Sequence, residues 1–598
     1  MIRKLALGLA LLSSGLVARA QDPKPAAPEP PPIVVEITLK GTLDEDPVAV
    51  SIEGTPVRDN LKSVIDTIKK AKADKSVKGL VLQVRDLSIG WGKVHELRVA
   101  IQDFRKSGKK VIAVIEMVGN AEYVVAASAD EIVMPEGGWL MLKGLSAELS
   151  YYKKALEKLG VKVDVLHVGE FKSAGEAFSR TEMSAAHRAE MTELLTDSFG
   201  SMVDAIAGRQ GIAPDEAKKL IEEGPYTPKS AKAVGLINRI AYPDQMEAEI
   251  GKSLKIEDIK IDRRYGKKKA DPNEFAGLAG MMKLMQNLSG EGPKKAASTK
   301  PKIAVIYASG MIQNGKSSSG SLMGQSIMGS DTVIKHLREA EKDKTVKAIV
   351  LRVDSGGGSA LASDLMWREV TRIEKPIVAS MSDVAASGGY YISMGADKVY
   401  AEPGTITGSI GVVSIKPALS GLMEKVGITT DTVSIGKNGT FLAGSGPMSD
   451  AEKAAMQKMM DETYEAFVSK AALGRKMDAT KLEKLARGRV YTGRQAKALG
   501  LVDELGTLDD AIASARTLAN IDASVETELK ILPEPPSFFD SLLGPFGGSD
   551  RDAFAPKGAA ALALPDAVRL PLQRLGQVLT LFSREPVVTI MPFELRIR

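Results

Sequence analysis

Asp74-Lys75-Ser76-Val77-Lys78-Gly79-Leu80-Val81-Leu82-Gln83-Val84 and Asp343-Lys344-Thr345-Val346-Lys347-Ala348-Ile349-Val350-Leu351-Arg352-Val353 are two copies of one segment, 269 positions apart. Each ends in a continuous apolar run, the pattern of a strand buried on both faces. The same offset relates Ile33–Gly41 to Lys302–Gly310. Further on, Tyr123 and Asp130 match Tyr390 and Asp397, and Gly160 and Asp164 match Gly427 and Asp431, at 267. Near the end of each copy, Tyr226-Thr227 and Gly235-Leu236 match Tyr491-Thr492 and Gly500-Leu501, at 265. Small loop insertions and deletions account for the drift. The period is far too long for a solenoid, so the sequence describes a tandem pair of domains.

Both copies share one order of elements. A short β-branched strand (Ile33-Val34-Val35; Ile303-Ala304-Val305-Ile306) precedes a helix, about Asp59 to Ala73 and Asp331 to Lys342. The apolar strand follows (Gly79 to Val84; Ala348 to Val353), then another helix and another buried strand (Val111 to Ile115; Ile377 to Ser380). Strands alternating with helices predict an α/β layered fold. Long helical regions, Ser184 to Arg209 and Ser449 to Lys476, close the copies, with Ser184 and Ser449 as N-caps.

Composition narrows the chemistry. The chain has 598 residues, too many for one core. Its net charge of +5 comes from 80 basic and 75 acidic residues, too balanced to argue for nucleic acid. It has no cysteine, which excludes disulfides, thiolate metal sites and cysteine nucleophiles. No metal or other cofactor is expected. Arg3 and Lys4, the apolar stretch Leu5 to Val17 and Ala18-Arg19-Ala20 read as a signal peptide cut after Ala20; an uncleaved anchor is the alternative. Both place the bulk of the chain outside the cytoplasm.

The two copies differ where chemistry is expected. The second carries Asp354-Ser355-Gly356-Gly357-Gly358-Ser359 directly after a buried strand, and Ser387-Gly388-Gly389-Tyr390 after the next. Glycines let backbone N–H groups approach a ligand, and such groups build an oxyanion hole. Tight strand-to-helix turns without chemistry are the plainer reading of the same glycines. Ser387 has the setting of a nucleophile, which needs a base. The four histidines, His95, His167, His187 and His336, are all remote from it in sequence. The first copy has Asp86-Leu87-Ser88-Ile89 and Asn120-Ala121-Glu122 at the corresponding places, so it supplies no nucleophile of this kind. It has Lys172 instead, in Gly169-Glu170-Phe171-Lys172-Ser173-Ala174, where the second copy has Gly439. An ordinary surface lysine is the bland reading. The complementary loss favours a Ser–Lys pair, which requires desolvation to keep the amine neutral.

Ala385-Ala386-Ser387-Gly388-Gly389-Tyr390, Lys172-Ser173-Ala174, Thr407-Gly408-Ser409-Ile410-Gly411 and the duplication together resemble the signal peptide peptidase A family (peptidase family S49) in its long, two-half form. The resemblance spans roughly Ile33 to Ile512. It implies tandem duplicated ClpP/crotonase-like domains and a membrane-associated, periplasmic serine protease that degrades cleaved signal peptides and assembles as a homotetramer. Carried onto this chain, it makes Ser387 the nucleophile, Lys172 the general base and Ser409 the residue that positions the lysine. Gly388 with Gly357 or Gly358 supplies the oxyanion N–H groups. The family usually has proline at the place of Gly356, and glycine makes that turn more flexible.

The expected organisation is a signal peptide or anchor (1–20), a Pro/Ala-rich tether (21–32), the lysine half (33–293), a linker (294–301) and the serine half (302–532). A Pro/Gly-rich linker (533–564) and an amphipathic tail (565–598) follow. In the tail, Val568, Leu572, Leu575, Leu579 and Phe582 recur at helical spacing among Arg569, Arg574 and Arg584. That helix either lies on a membrane surface or packs on the protein body. Phe593–Arg598 reads as an edge strand. The loop Asn314 to Ser330 is either a cover over the cleft or a plain connection. Apolar peptides are the expected partners. A non-catalytic scaffold and a crotonase-type acyl-CoA enzyme are the competing functions.

Overall fold

A computed structural model describes residues 32–48, 58–256, 259–267, 298–318, 326–436, 438–442, 444–535 and 586–591. The N-terminal targeting segment, most of the tether, the tail helix and the strand at Phe593–Arg598 lie outside the described residues, as do parts of both linkers and of the Asn314–Ser330 loop.

The first half is built on a six-stranded parallel sheet, ordered Arg239–Ile240, Glu131–Met134, Lys110–Ile115, Val77–Leu87, Ile33–Gly41, Lys260–Asp262. Its strands are apolar on both faces because both faces are covered. Leu82, Val84, Ala113 and Ile115 face one helical layer with Leu97, Phe104, Tyr123 and Ile206. Val34, Val81, Ile112 and Val114 face the other, with Met246 and Ile250. The second half repeats the plan. Its central strands, Lys302–Ser309, Val346–Ser355 and Ile377–Ala386, are parallel and in adjacent register. Ile306, Leu351 and Ala379 pack on one side, and Val305, Val350 and Val378 on the other against Leu508, Ala511 and Ala515. Equivalent anchors hold equivalent helices: Tyr123 Oη donates to Leu236 O at 2.8 Å and Tyr390 Oη to Leu501 O at 2.9 Å. Ser184 and Ser449 cap the long helices Ala185–Gln210 and Asp450–Gly474 through their side chains.

A third sheet joins the halves. Its order is Ile327–Gly329, Met311–Gln313, Gly357–Ser359, Val588–Ile590, Val412–Ala418, Lys162–Val168. Lys162–Val168 comes from the first half and pairs antiparallel with Val412–Ala418 of the second over its whole length. Its counterpart in the second half, residues 429–435, forms no strand and leaves Val433 and Ile435 93% and 94% exposed. The repeat is therefore not symmetric in space.

Buried charge forms the other joint. Arg352 is fully buried, and Glu45 of the first half grips its guanidinium at 3.0 and 2.8 Å while Glu96 reaches it at 2.5 Å. Lys93 lies 3.1 Å from Asp354 and 3.5 Å from Asp383, the residues that lead into the two glycine turns. Burial pushes the Asp354 carboxyl up, Lys93 opposes that, and the result is about 6. Glu45 is also desolvated, but Arg352 and its hydrogen bonds outweigh this and hold it below the usual range.

Candidate active site

The strand Ile377–Ala386 delivers Ser387 to the N-cap of the short helix Gly388–Ser393. Its backbone sits at φ 54, ψ −112, a region that L residues rarely adopt and that costs about 1–3 kcal/mol. Ser387 N–H donates to Gly408 O at 2.8 Å, and Tyr391 N–H donates to Ser387 O at 2.8 Å, which pin the turn. Glycine is required on both sides of the cradle. A Cβ on Gly389 would lie 2.4 Å from Ser355 O, and one on Gly388 would lie 2.6 Å from Ser363 Oγ and 3.0 Å from Gly357 Cα.

Lys172 reaches this turn from the other half. It follows the strand Lys162–Val168, and its backbone is wedged against Gly488, where a Cβ would lie within 2.5 to 2.6 Å of Lys172 N, Cα and Cβ. Lys172 Nζ lies 2.7 Å from Ser387 Oγ, 2.9 Å from Ser409 O and 2.9 Å from Ser409 Oγ. Ser387 and Ser409 are fully buried and Lys172 is 1% exposed. Desolvation holds the Lys172 amine well below the usual lysine value and outweighs the opposite pull of Glu190. Glu190 is itself buried and pushed up to about 8 by desolvation. Its Oε1 accepts Val490 N–H at 2.6 Å. Ser409 also has a positive φ, of 54, and its N–H donates to Arg489 O at 2.6 Å.

The structure thus brings Lys172 into contact with both Ser387 and Ser409, with Gly388 and Gly357 adjacent. Gly357 N–H donates to Ser355 Oγ at 3.1 Å, and Gly358 faces Ile312 on one side and Thr589 on the other. Asn120, at the place of Ser387 in the first half, begins an ordinary helix, and its Oδ1 accepts Lys143 N–H at 3.0 Å. Glu190, Ser363 and Gly488 escaped the sequence reading. Glu190 and Gly488 act through Val490 and Lys172, each more than a hundred residues away, and Ser363 through Gly388 in the next helix, so no local pattern marks them.

Two α/β halves that converge on one buried serine define a serine protease. The chain belongs to peptidase family S49, which matches it twice, over residues 103–257 and 369–522. It is 34% identical over 519 residues to the chloroplastic serine protease SPPA of Arabidopsis thaliana, covering 86% of this chain and 73% of that protein. It is 31% identical over 515 residues to Protease 4 of Salmonella typhi, covering 84% and 78%. Among solved structures, the 1510-N membrane-bound stomatin-specific protease, as a mutant with a substrate peptide, aligns at 18% identity over 41% of this chain and 96% of that chain, with a TM-score of 0.25.

Proposed function

We propose that the protein is an endopeptidase with a Ser387–Lys172 dyad that degrades apolar peptides, such as cleaved signal peptides, at a membrane. The observation that carries this reading is the 2.7 Å approach of Lys172 Nζ to Ser387 Oγ between two fully buried side chains. A neutral amine has two N–H groups and one lone pair. Ser409 O and Oγ accept the two N–H groups, which leaves the lone pair for the Ser387 hydroxyl proton. Lys172 takes that proton as Ser387 Oγ attacks the peptide carbonyl, and then gives it to the leaving amine. The Gly388 N–H serves the developing oxyanion in this reading, and the Gly357 N–H, held by Ser355 Oγ at 3.1 Å, joins it only if that bond is released. Ser409 holds the amine in place, which makes it a positioning residue.

Apolar specificity is supported by the side chains around the serine: Met191, Leu194, Ala386, Ile406 and Val490 form one cluster. The unpaired residues 429–435, with Val433 and Ile435 exposed, support assembly into a homo-oligomer, for which the family resemblance suggests four copies. Among the described residues no helix is long and apolar enough to cross a membrane. Membrane action at the periplasmic face therefore rests on the N-terminal segment and the tail. The test is cleavage of matched apolar and charged fluorogenic peptides by the full chain, with flotation on liposomes. Preferential cleavage of the apolar peptide, abolished in Ser387→Ala, is expected. Equal turnover of both peptides would remove the apolar substrate class, and failure to float would remove the membrane.

A further inference from the structure

Ser387 is fully buried, so no peptide meets it until something moves. Residues from the far end of the chain pack against the two glycine turns beside it. Val588–Ile590 lies antiparallel to Gly357–Ser359, pairing Gly357 with Ile590, Gly358 with Thr589 and Ser359 with Val588. On its other edge it pairs with Val412–Ala418 only at Val413. Met591 N–H donates to Gly356 O at 2.7 Å, and Thr589 Oγ1 donates to Gly358 O at 3.3 Å.

This strand touches both sides of the nucleophile. A Cβ on Gly388 would lie 3.0 Å from Thr589 Oγ1, and one on Gly357 only 2.0 Å from Thr589 O. Met591 packs into the apolar cluster that contains Ala386, the residue before Ser387. Val588 packs on Val413 and Ile415. An extended segment, paired through its backbone to the glycine turn and seated by alternate apolar side chains, has the binding mode of a peptide added as a strand. Gly357 and Gly358 present backbone and no side chain, so the groove reads main chain first. The strand is three residues long and shares a single pair with its second neighbour, so a longer peptide that pairs on both edges can displace it.

We propose that Val588–Met591 is the chain's own occupant of the substrate groove: it holds the place of an extended apolar peptide and keeps Ser387 closed until it is displaced. The inference rests on the protease reading of Ser387 and adds that the resting site is shut. It also assigns the cluster of Met191, Leu194, Ile406 and Val490 as the pocket for one apolar substrate side chain, the place Met591 fills.

The experiment uses full-length Thr589→Pro and Met591→Asp, which break the strand pairing and its apolar seat without touching the dyad. Fluorophosphonate labelling of Ser387 and hydrolysis of an apolar peptide are both expected to rise at least about tenfold, the factor by which a 10% open population suppresses a rate. A synthetic peptide with the sequence of residues 586–591 should then inhibit the variants competitively. Variants with unchanged melting temperature and unchanged or lower rates would overturn the proposal and make the strand a fixed part of the sheet. A second readout needs no activity and leaves the strand itself unaltered. In full-length Ser387→Ala, a saturating apolar peptide should raise amide hydrogen exchange at residues 588–591. Unchanged exchange overturns the proposal even if the protease works. Raised exchange with no labelling in any variant keeps the groove and its occupant and sinks the Ser387–Lys172 assignment alone.

Discussion

The two halves fold alike and differ where the chemistry is. At Ser387 the second half holds its backbone at φ 54, ψ −112, and the turn beside it runs through Gly357 and Gly358 at φ 100 and 156. At the corresponding place the first half enters its helix through Gly119, at φ −96, and Asn120 is an ordinary helical residue. Of the nearby strain it keeps only Asp86, at φ 48. The same sheet and the same tyrosine anchors stand behind both turns, so the strain belongs to the site and not to the fold. The first half has exchanged that strain for a strand, Lys162–Val168, which crosses into its partner's sheet and carries Lys172 to the serine. In the proposed reading, a duplicated protease has divided one catalytic pair between its copies.

Substitutions at matched positions test this division. Ser387→Ala should lower kcat on an apolar peptide by about 10⁶-fold, the loss typical of a catalytic nucleophile, and Lys172→Ala should follow it. Asn120→Ala should leave kcat unchanged, and Asn120→Ser should add no second labelled serine, because Gly439 offers no base. A labelled residue 120 would break the comparison.

The buried joint is next. Arg352→Ala leaves Glu45 and Glu96 buried without the guanidinium that grips both, and should cost about 3–5 kcal/mol in denaturant unfolding. Its repeat counterpart Gln83 has no such cluster, and Gln83→Ala should stay within about 0.5 kcal/mol. Gly488→Ala places a methyl group against the Lys172 backbone at φ 83. A displacement of that size should cost about 10²-fold in kcat/KM without a matching fall in peptide affinity. Its repeat-mate in the first half, Glu223, caps a helix and faces no catalytic group.

The smallest effect is at Glu190. Its carboxyl keeps its proton up to about pH 8, so glutamine mimics the working form. Glu190→Gln should leave the neutral-pH rate unchanged within about twofold. A large loss would make Glu190 a charged partner of Lys172.

Much of this was legible in the sequence. The paired runs at Val77–Val84 and Val346–Val353 announce two-sided burial, and small residues around Ser387 announce a close turn. Lys172 emerged because each copy lacked what the other kept. Three features were not legible, for one physical reason: their partners are remote. Val588–Thr589–Ile590 is too short to stand out as a strand, and its register depends on a turn 231 residues away. Arg352 sits in an apolar run, and only its contact with Glu45, 307 residues away, explains a buried guanidinium. The transfer of Lys162–Val168 into the other half's sheet is invisible in a repeat whose sequence still matches at Gly160 and Asp164.

The dyad is tested most directly by the rate of Ser387 acylation as a function of pH in the full chain and in Lys172→Ala. The account predicts that the rate in the unaltered chain rises with pH along a limb that lies well below 10.5, because the amine is desolvated, and that Lys172→Ala loses this limb along with its acylation. Acylation of Lys172→Ala at the unaltered rate, with the same limb, would contradict it.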